Sequence, residues 1–112
     1  MVGERVTYEI FCELVDELNE TSNGTMTQKG NNYAPGGDRL HNFHAGAEIM
    51  GCTPAQVCWG YMTKHLVALR DKVQRNDFSN REDVKEKCQD IINYIKILWC
   101  IANEESGDHD EN

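Results

Sequence analysis

Apolar positions recur most regularly near the end of the chain. Val84, Cys88, Ile91, Ile95, Leu98 and Ala102 repeat at helical spacing, and Ile92 and Trp99 widen the stripe. At about 100° per residue these positions share one face of a helix. Tyr94, Ile97 and Ile101 fall on a second face. The helix is therefore expected to be apolar on two sides, with the long stripe in its own core. Tyr94, Ile97 and Ile101 are then the outer patch that a second subunit covers. Glu86, Asp90 and Asn93 stand about one turn apart at the border, where their oxygens can converge. Ser79 and Glu82 form a capping box that opens this helix, which should end near Ala102.

The same reading gives three more helices. Val6, Ile10, Leu14 and Leu18, supported by Phe11 and Val15, predict a helix from about Glu4 to Asn19. Its other side carries Glu9, Glu13, Asp16, Glu17 and Glu20. Like charges at this spacing repel unless cations neutralise them, so they suggest either an exposed acidic face or a cation site. Thr21 to Gly37 is rich in Gly, Asn and Thr and reads as a long loop, which tends to be functional. Asp38 is a candidate N-cap for a short helix that buries Leu40, Phe43, Ala47 and Met50 and stops at Gly51. Thr53, Pro54 and Gln56 spell a helix start, and that helix should run to about Gln74. Val57, Tyr61, His65, Ala68, Leu69 and Lys72 share its face. No segment reads as a strand. The fold class is all-α, a small bundle of three long helices and one short one.

Length and charge narrow the picture. The 112 residues suit one α-helical domain over 1–102, and 103–112 form an acidic, apolar-free tail expected to be disordered. The apolar share is 39%, so a core this small gains from a homo-oligomer. A net charge of −8 argues against duplex nucleic acid as a partner, because that needs a basic face. Five cysteines without a CxxC pair argue against a zinc site or disulfide scaffold. No stretch reads as a signal peptide or a membrane span, so a cytoplasmic protein, without a membrane partner, is expected.

Several residue groups could carry chemistry. Glu13 and Glu17 on the first helix could meet Glu86 and Asp90 on the last. Four such acids need Mg²⁺ or another hard cation, which could hold nucleotide phosphates and activate water. They could equally pair with Lys and Arg. Lys29 and Arg39 flank a Gly-rich segment before a helix N-terminus, a setting for phosphate as well as for a plain surface loop. His65 sits among Cys58, Tyr61 and Leu69, as a core histidine or a ligand group, with Lys64 at the edge. His41, His44 and Glu48 form a metal-like spacing that lacks a fourth ligand. Nucleophilic catalysis has no motif here.

Lys29-Gly-Asn-Asn-Tyr33, Asn42-Phe43, the run from Trp59 to Leu69, and Glu86 with Asp90-Ile-Ile-Asn-Tyr94 occur in that order. In this order of features the chain, over roughly residues 5–102, resembles small phage and bacterial proteins of nucleotide metabolism. Those in turn resemble the MazG-like all-α nucleoside triphosphate pyrophosphohydrolases. The resemblance implies a helical bundle assembled as dimers or tetramers, Mg²⁺ held by an acidic motif on each of two helices, and cleavage between α and β phosphates. Glu13-Leu-Val-Asp16-Glu17 stands where the family has Glu-Glu-x-x-Glu. Glu86 and Asp90 are one residue further apart than the family's Glu-x-x-Asp. Water activation needs the full ligand set, whereas binding does not.

The expectation is a phage-type, oligomeric nucleotide-binding protein that sequesters a nucleotide-derived ligand, such as a host defence signal, without turning it over. Lys29, Arg39, Lys64 and His65 would contact phosphate. Tyr33, Tyr61 and Tyr94 would stack on a base, with Asn93 beside them. One alternative is a Mg²⁺-dependent pyrophosphohydrolase using Glu13, Glu17, Glu86 and Asp90. Another is a helical adaptor that binds a host protein.

Overall fold

A computed structural model of the protein describes residues 5–33 and 39–106, with side chains placed for all of these except 25–33. It contains four helices: α1 (Tyr8–Tyr33), α2 (His41–Met50), α3 (Pro54–Arg75) and α4 (Arg81–Ser106). No strand occurs among the described residues. The all-helical class therefore holds.

The helix ends follow their caps. Thr7 opens α1: its hydroxyl accepts from the Ile10 amide at 3.2 Å, and its carbonyl from Phe11 at 2.8 Å. That moves the start beyond the expected Glu4. At α3 the Thr53 hydroxyl accepts from the Gln56 amide, Gln56 accepts from the Thr53 amide, and Pro54 fills the first turn, as the sequence predicts. Asn76 ends α3 in the left-handed region at φ 51°. Gly51 ends α2 the same way at φ 67°, a conformation that costs glycine nothing. At α4 the cap is Asn80, not Ser79. The Asn80 side chain accepts from the Asp83 amide at 3.1 Å, while the Ser79 hydroxyl turns back to Asp77.

The expected loop after Asn19 is corrected. The helix continues through Thr21 to Tyr33. Thr, Ser, Asn and Gly are poor helix formers, but tertiary bonds outweigh that here. The Thr21 hydroxyl donates to the Glu17 carbonyl at 3.0 Å. Ser22 and Asn23 are tied to α4 through Asn93 and Lys96. Residues 34–38, including the proposed cap Asp38, lie outside the described residues. α4 also overruns its expected end at Ala102 by reaching Ser106. There Asn103 and Ser106 side chains bond carbonyls of the helix itself. The rest of the predicted tail, 107–112, is outside the described residues.

The core gathers where α2, α3 and α4 meet. Phe43, Ala47, Val57, Cys58 and Ile101 form it, with Leu40, Tyr94, Ile97 and Leu98 packed on its rim. Gly46 brings α2 close to α3, since a Cβ there would stand 3.2 Å from a methyl of Val57. Met50, expected in the core, is exposed.

The faces of α4 are the main surprise. Ile101 is fully buried and Tyr94 and Ile97 pack on the core, so the face expected to look outward looks inward. Ile95 and Trp99, expected in the core, are 49% and 69% exposed. The cause lies in the neighbours. α3 packs along Asp83, Asp90 and Tyr94, and α1 along Arg81, Lys85, Asn93 and Lys96. Ile95 and Trp99 fall outside both faces, whereas Leu98 packs on the core and Val84, Cys88 and Ile91 are half-buried.

Candidate functional site

The side chains with chemistry collect along two seams of α4. The first is with α3. His65 Nδ1 lies 3.3 Å from the Asp90 carboxylate, and the Tyr94 ring lies 5.4 Å from the imidazole at 30°. His65, Asp90 and Tyr94 are all partly buried. Asp90 and Tyr94 are four apart on one helix, so their side chains rise together beside the same imidazole. Burial, and then the Asp90 charge, push the Tyr94 phenol above its ordinary value. The Tyr94 carbonyl also receives the Cys58 thiol at 3.5 Å, and burial raises that thiol as well. Tyr61, one turn before His65, packs its ring 5.8 Å from Phe43 and keeps part of its surface in solvent. Lys64 is exposed beside it. The group offers a cation when His65 is protonated, a carboxylate, and two phenol rings.

Further along the same seam, Lys72 of α3 meets Asp83 at 2.6 Å, and Lys87 meets it at 2.8 Å. Lys72, and then Lys87, hold the Asp83 carboxyl below its ordinary range.

The second seam is with α1. Ser22 is buried and donates to Asn93 Oδ1 at 2.7 Å. Lys96 donates to Ser22 at 3.0 Å and to Asn23 at 2.8 Å. Gln89 is also buried, and its Nε2 has no hydrogen-bond partner among the described residues. Glu17 engages Arg81 and Lys85 of α4. The Arg81 guanidinium, and then Lys85, hold its carboxyl below the usual range.

The expected site residues are thus dispersed. Glu86, Asp90 and Asn93 do not converge: Asp90 turns to His65, Asn93 to Ser22, and Glu86 is exposed. Glu13 is exposed on α1, while Glu17 is matched with cations. Among the described residues no three His, Cys, Asp or Glu side chains stand together as a metal-holding group. These acids do not fit Mg²⁺ in this arrangement, because a hard cation needs several oxygens at once, whereas Glu17 faces Arg81 and Lys85 and Asp90 turns away to His65. His44 pairs with Glu104 of α4 at 2.8 Å, away from His41 and Glu48, which are both exposed. Arg39 is exposed in the turn before α2. Lys29 and Tyr33 lie in α1, and their side chains are outside the description.

Sequence reasoning singled out His65, Tyr61 and Tyr94 but did not pair His65 with Asp90. That pairing depends on the register of two helices, which no spacing within one helix reveals. It also missed Ser22, Lys96 and Gln89. Gln89 and Lys96 share a polar face of α4 with Arg81 and Lys85, which looks like solvent exposure in the sequence, and Ser22 sits in a Thr-, Asn- and Gly-rich run that reads as a loop.

No family model, curated protein or solved structure matches the chain. No described helix is long and apolar enough to cross a membrane.

Proposed function

We propose that this protein binds a nucleotide or nucleotide-derived small molecule at the α3–α4 seam, as a homo-oligomer of MazG-like helical bundles. The observation that carries the reading is the meeting of His65 with Asp90 and Tyr94. Protonated His65, oriented by Asp90 and joined by the exposed Lys64, supplies charge for phosphate. Tyr94 and Tyr61 supply ring faces for a base. Lys29, Tyr33 and Arg39 are proposed to add contacts from the segment leading into α2. In this reading the ligand is held without turnover, which suits a phage protein that sequesters a host defence signal in the cytoplasm.

The second reading is a Mg²⁺-dependent pyrophosphohydrolase. It requires Glu17 to leave Arg81 and Lys85, so that Glu13, Glu17, Glu86 and Asp90 can share an ion. A Mg²⁺ titration with a pyrophosphate assay separates the two.

Native mass spectrometry of freshly purified protein tests the lead reading. It predicts a multimer carrying a nucleotide-sized adduct that His65→Ala loses. A protein that carries no adduct, and takes up none when adenine and guanine nucleotides are added, contradicts it.

A further inference from the structure

α1 and α4 run in the same direction, and the bonds between them extend from Glu17 with Arg81 and Lys85 to Ser22 and Asn23 with Lys96. Before Glu17 the helix loses that cover. Tyr8 to Asp16 are exposed, apart from half-buried Cys12. The apolar stripe does not stop with the cover. At about 100° per residue, Ile10, Phe11 and Leu14 fall on the same face as Leu18 and Ser22. Ser22 is buried against Asn93 of α4 and Leu18 is half-buried, whereas Ile10 and Leu14 are exposed and Phe11 is 56% exposed. Val15, also exposed, stands at the edge of the stripe.

Charge decides what can cover this half. Glu9, Glu13 and Glu17 step by four residues along one flank of the stripe. Glu17 is matched by Arg81 and Lys85 of α4. Glu9 and Glu13 are exposed, and the sequence has no Lys, Arg or His from Val6 to Gln28. The covered half of α1 thus shows what the bare half accepts. α4 lies on the stripe as a helix and sets its cations against the acidic flank, and the stripe and the flank both continue towards Tyr8.

We propose that the first half of α1 docks a cationic amphipathic helix of another protein. That helix lays its apolar face on Ile10, Phe11, Leu14 and Val15, and its Lys or Arg side chains along Glu9 and Glu13. Apolar side chains one turn apart are the anchors by which one helix seats on another. The cations steer the encounter and fix its register, while the apolar contacts hold it. The same face of a second copy is a poor occupant, because Glu9 and Glu13 would meet like charges. The inference needs neither a nucleotide nor the α3–α4 seam, so it and the ligand reading can fail separately.

Two labelled model helices of about 18 residues, long enough to stay helical, test it by fluorescence anisotropy with the full-length protein. Both carry the same leucine face; one has Lys at its remaining positions and the other Glu. The wild type is expected to bind the Lys helix saturably, at least about tenfold tighter than the Glu helix, at about 0.15 M salt. Leu14→Asp is expected to weaken the Lys helix at least about tenfold at unchanged helical circular dichroism. Glu9→Lys combined with Glu13→Lys is expected to reverse the preference between the two helices. Glu48→Lys combined with Glu105→Lys changes the net charge equally at exposed positions elsewhere, and is expected to keep the preference. No saturable binding of the Lys helix at about 100 µM wild type overturns the proposal. So does an equal loss in the Glu48 and Glu105 variant, which would reduce the binding to net charge. Self-association of the wild type that Leu14→Asp abolishes, with neither helix added, also overturns it, since a second copy would then hold this face.

Discussion

His65 Nδ1 lies 3.3 Å from the Asp90 carboxylate, across the seam where α3 packs on α4. The contact joins a group that can be cationic to one that is anionic, in a place that solvent reaches only in part. It fixes which edge of the imidazole faces α4.

Asp90→Asn should keep the fold and weaken the site. The contact is partly solvated, so the predicted stability change is about 1 kcal/mol or less. Nucleotide affinity should fall about tenfold, near 1.4 kcal/mol, because the imidazole loses its orienting charge. Urea unfolding and binding titrations on the same sample check both numbers. A stability loss of several kcal/mol with unchanged affinity would make Asp90 purely structural.

Ile101 is fully buried in the small core, whereas Ile95, two turns earlier, is half exposed. Ile101→Ala is therefore predicted to cost about 2–5 kcal/mol in chemical denaturation. Ile95→Ala should cost well under that in the isolated monomer. The reverse order would restore the assignment of faces that the sequence pattern suggests.

Acid should loosen the bundle. Arg81 and Lys85 hold the Glu17 carboxyl below its ordinary value, and Lys72 and Lys87 do the same for Asp83. A carboxyl with a lower pKa in the folded state binds fewer protons there than in the unfolded chain. Its stabilisation is present above the unfolded value and fades as pH falls through the folded one. Thermal midpoints are predicted to be flat from pH 7 to 5 and to drop below about pH 4. Asp83→Asn should flatten part of that drop. An unchanged pH profile in this variant would remove Asp83 as a cause.

Thr53 closes a full capping box at the start of α3. Thr53→Ala should cost about 1 kcal/mol of stability, read from urea midpoints, with no effect on the α3–α4 seam.

How far the sequence reveals this protein depends on what each residue answers to. Thr53, Pro54 and Gln56 act locally, and the start of α3 was legible to the residue. Gly51 was equally legible as a stop. The length of α1 was not, because Ser22 and Asn23 are held helical by Asn93 and Lys96 more than seventy residues away. The stripe on α4 was legible as a pattern but not as a direction. Periodicity says that Val84, Ile91 and Ile95 share a face, and only the placement of α1 and α3 says which way it looks. His65, Tyr61 and Tyr94 stood out in the sequence, and the structure brings His65 and Tyr94 together. The partner of each acid was not, since Glu17 reads the same whether it meets Mg²⁺ or Arg81.

The most direct test of the proposed ligand site is calorimetric titration of the wild type and His65→Ala with adenine and guanine nucleotides, with and without Mg²⁺. The account predicts saturable binding to the wild type and at least about tenfold weaker binding to His65→Ala at equal helical content, a difference of about 1.4 kcal/mol or more. Equal affinity in the two proteins, or rapid Mg²⁺-dependent release of pyrophosphate by the wild type, would contradict it.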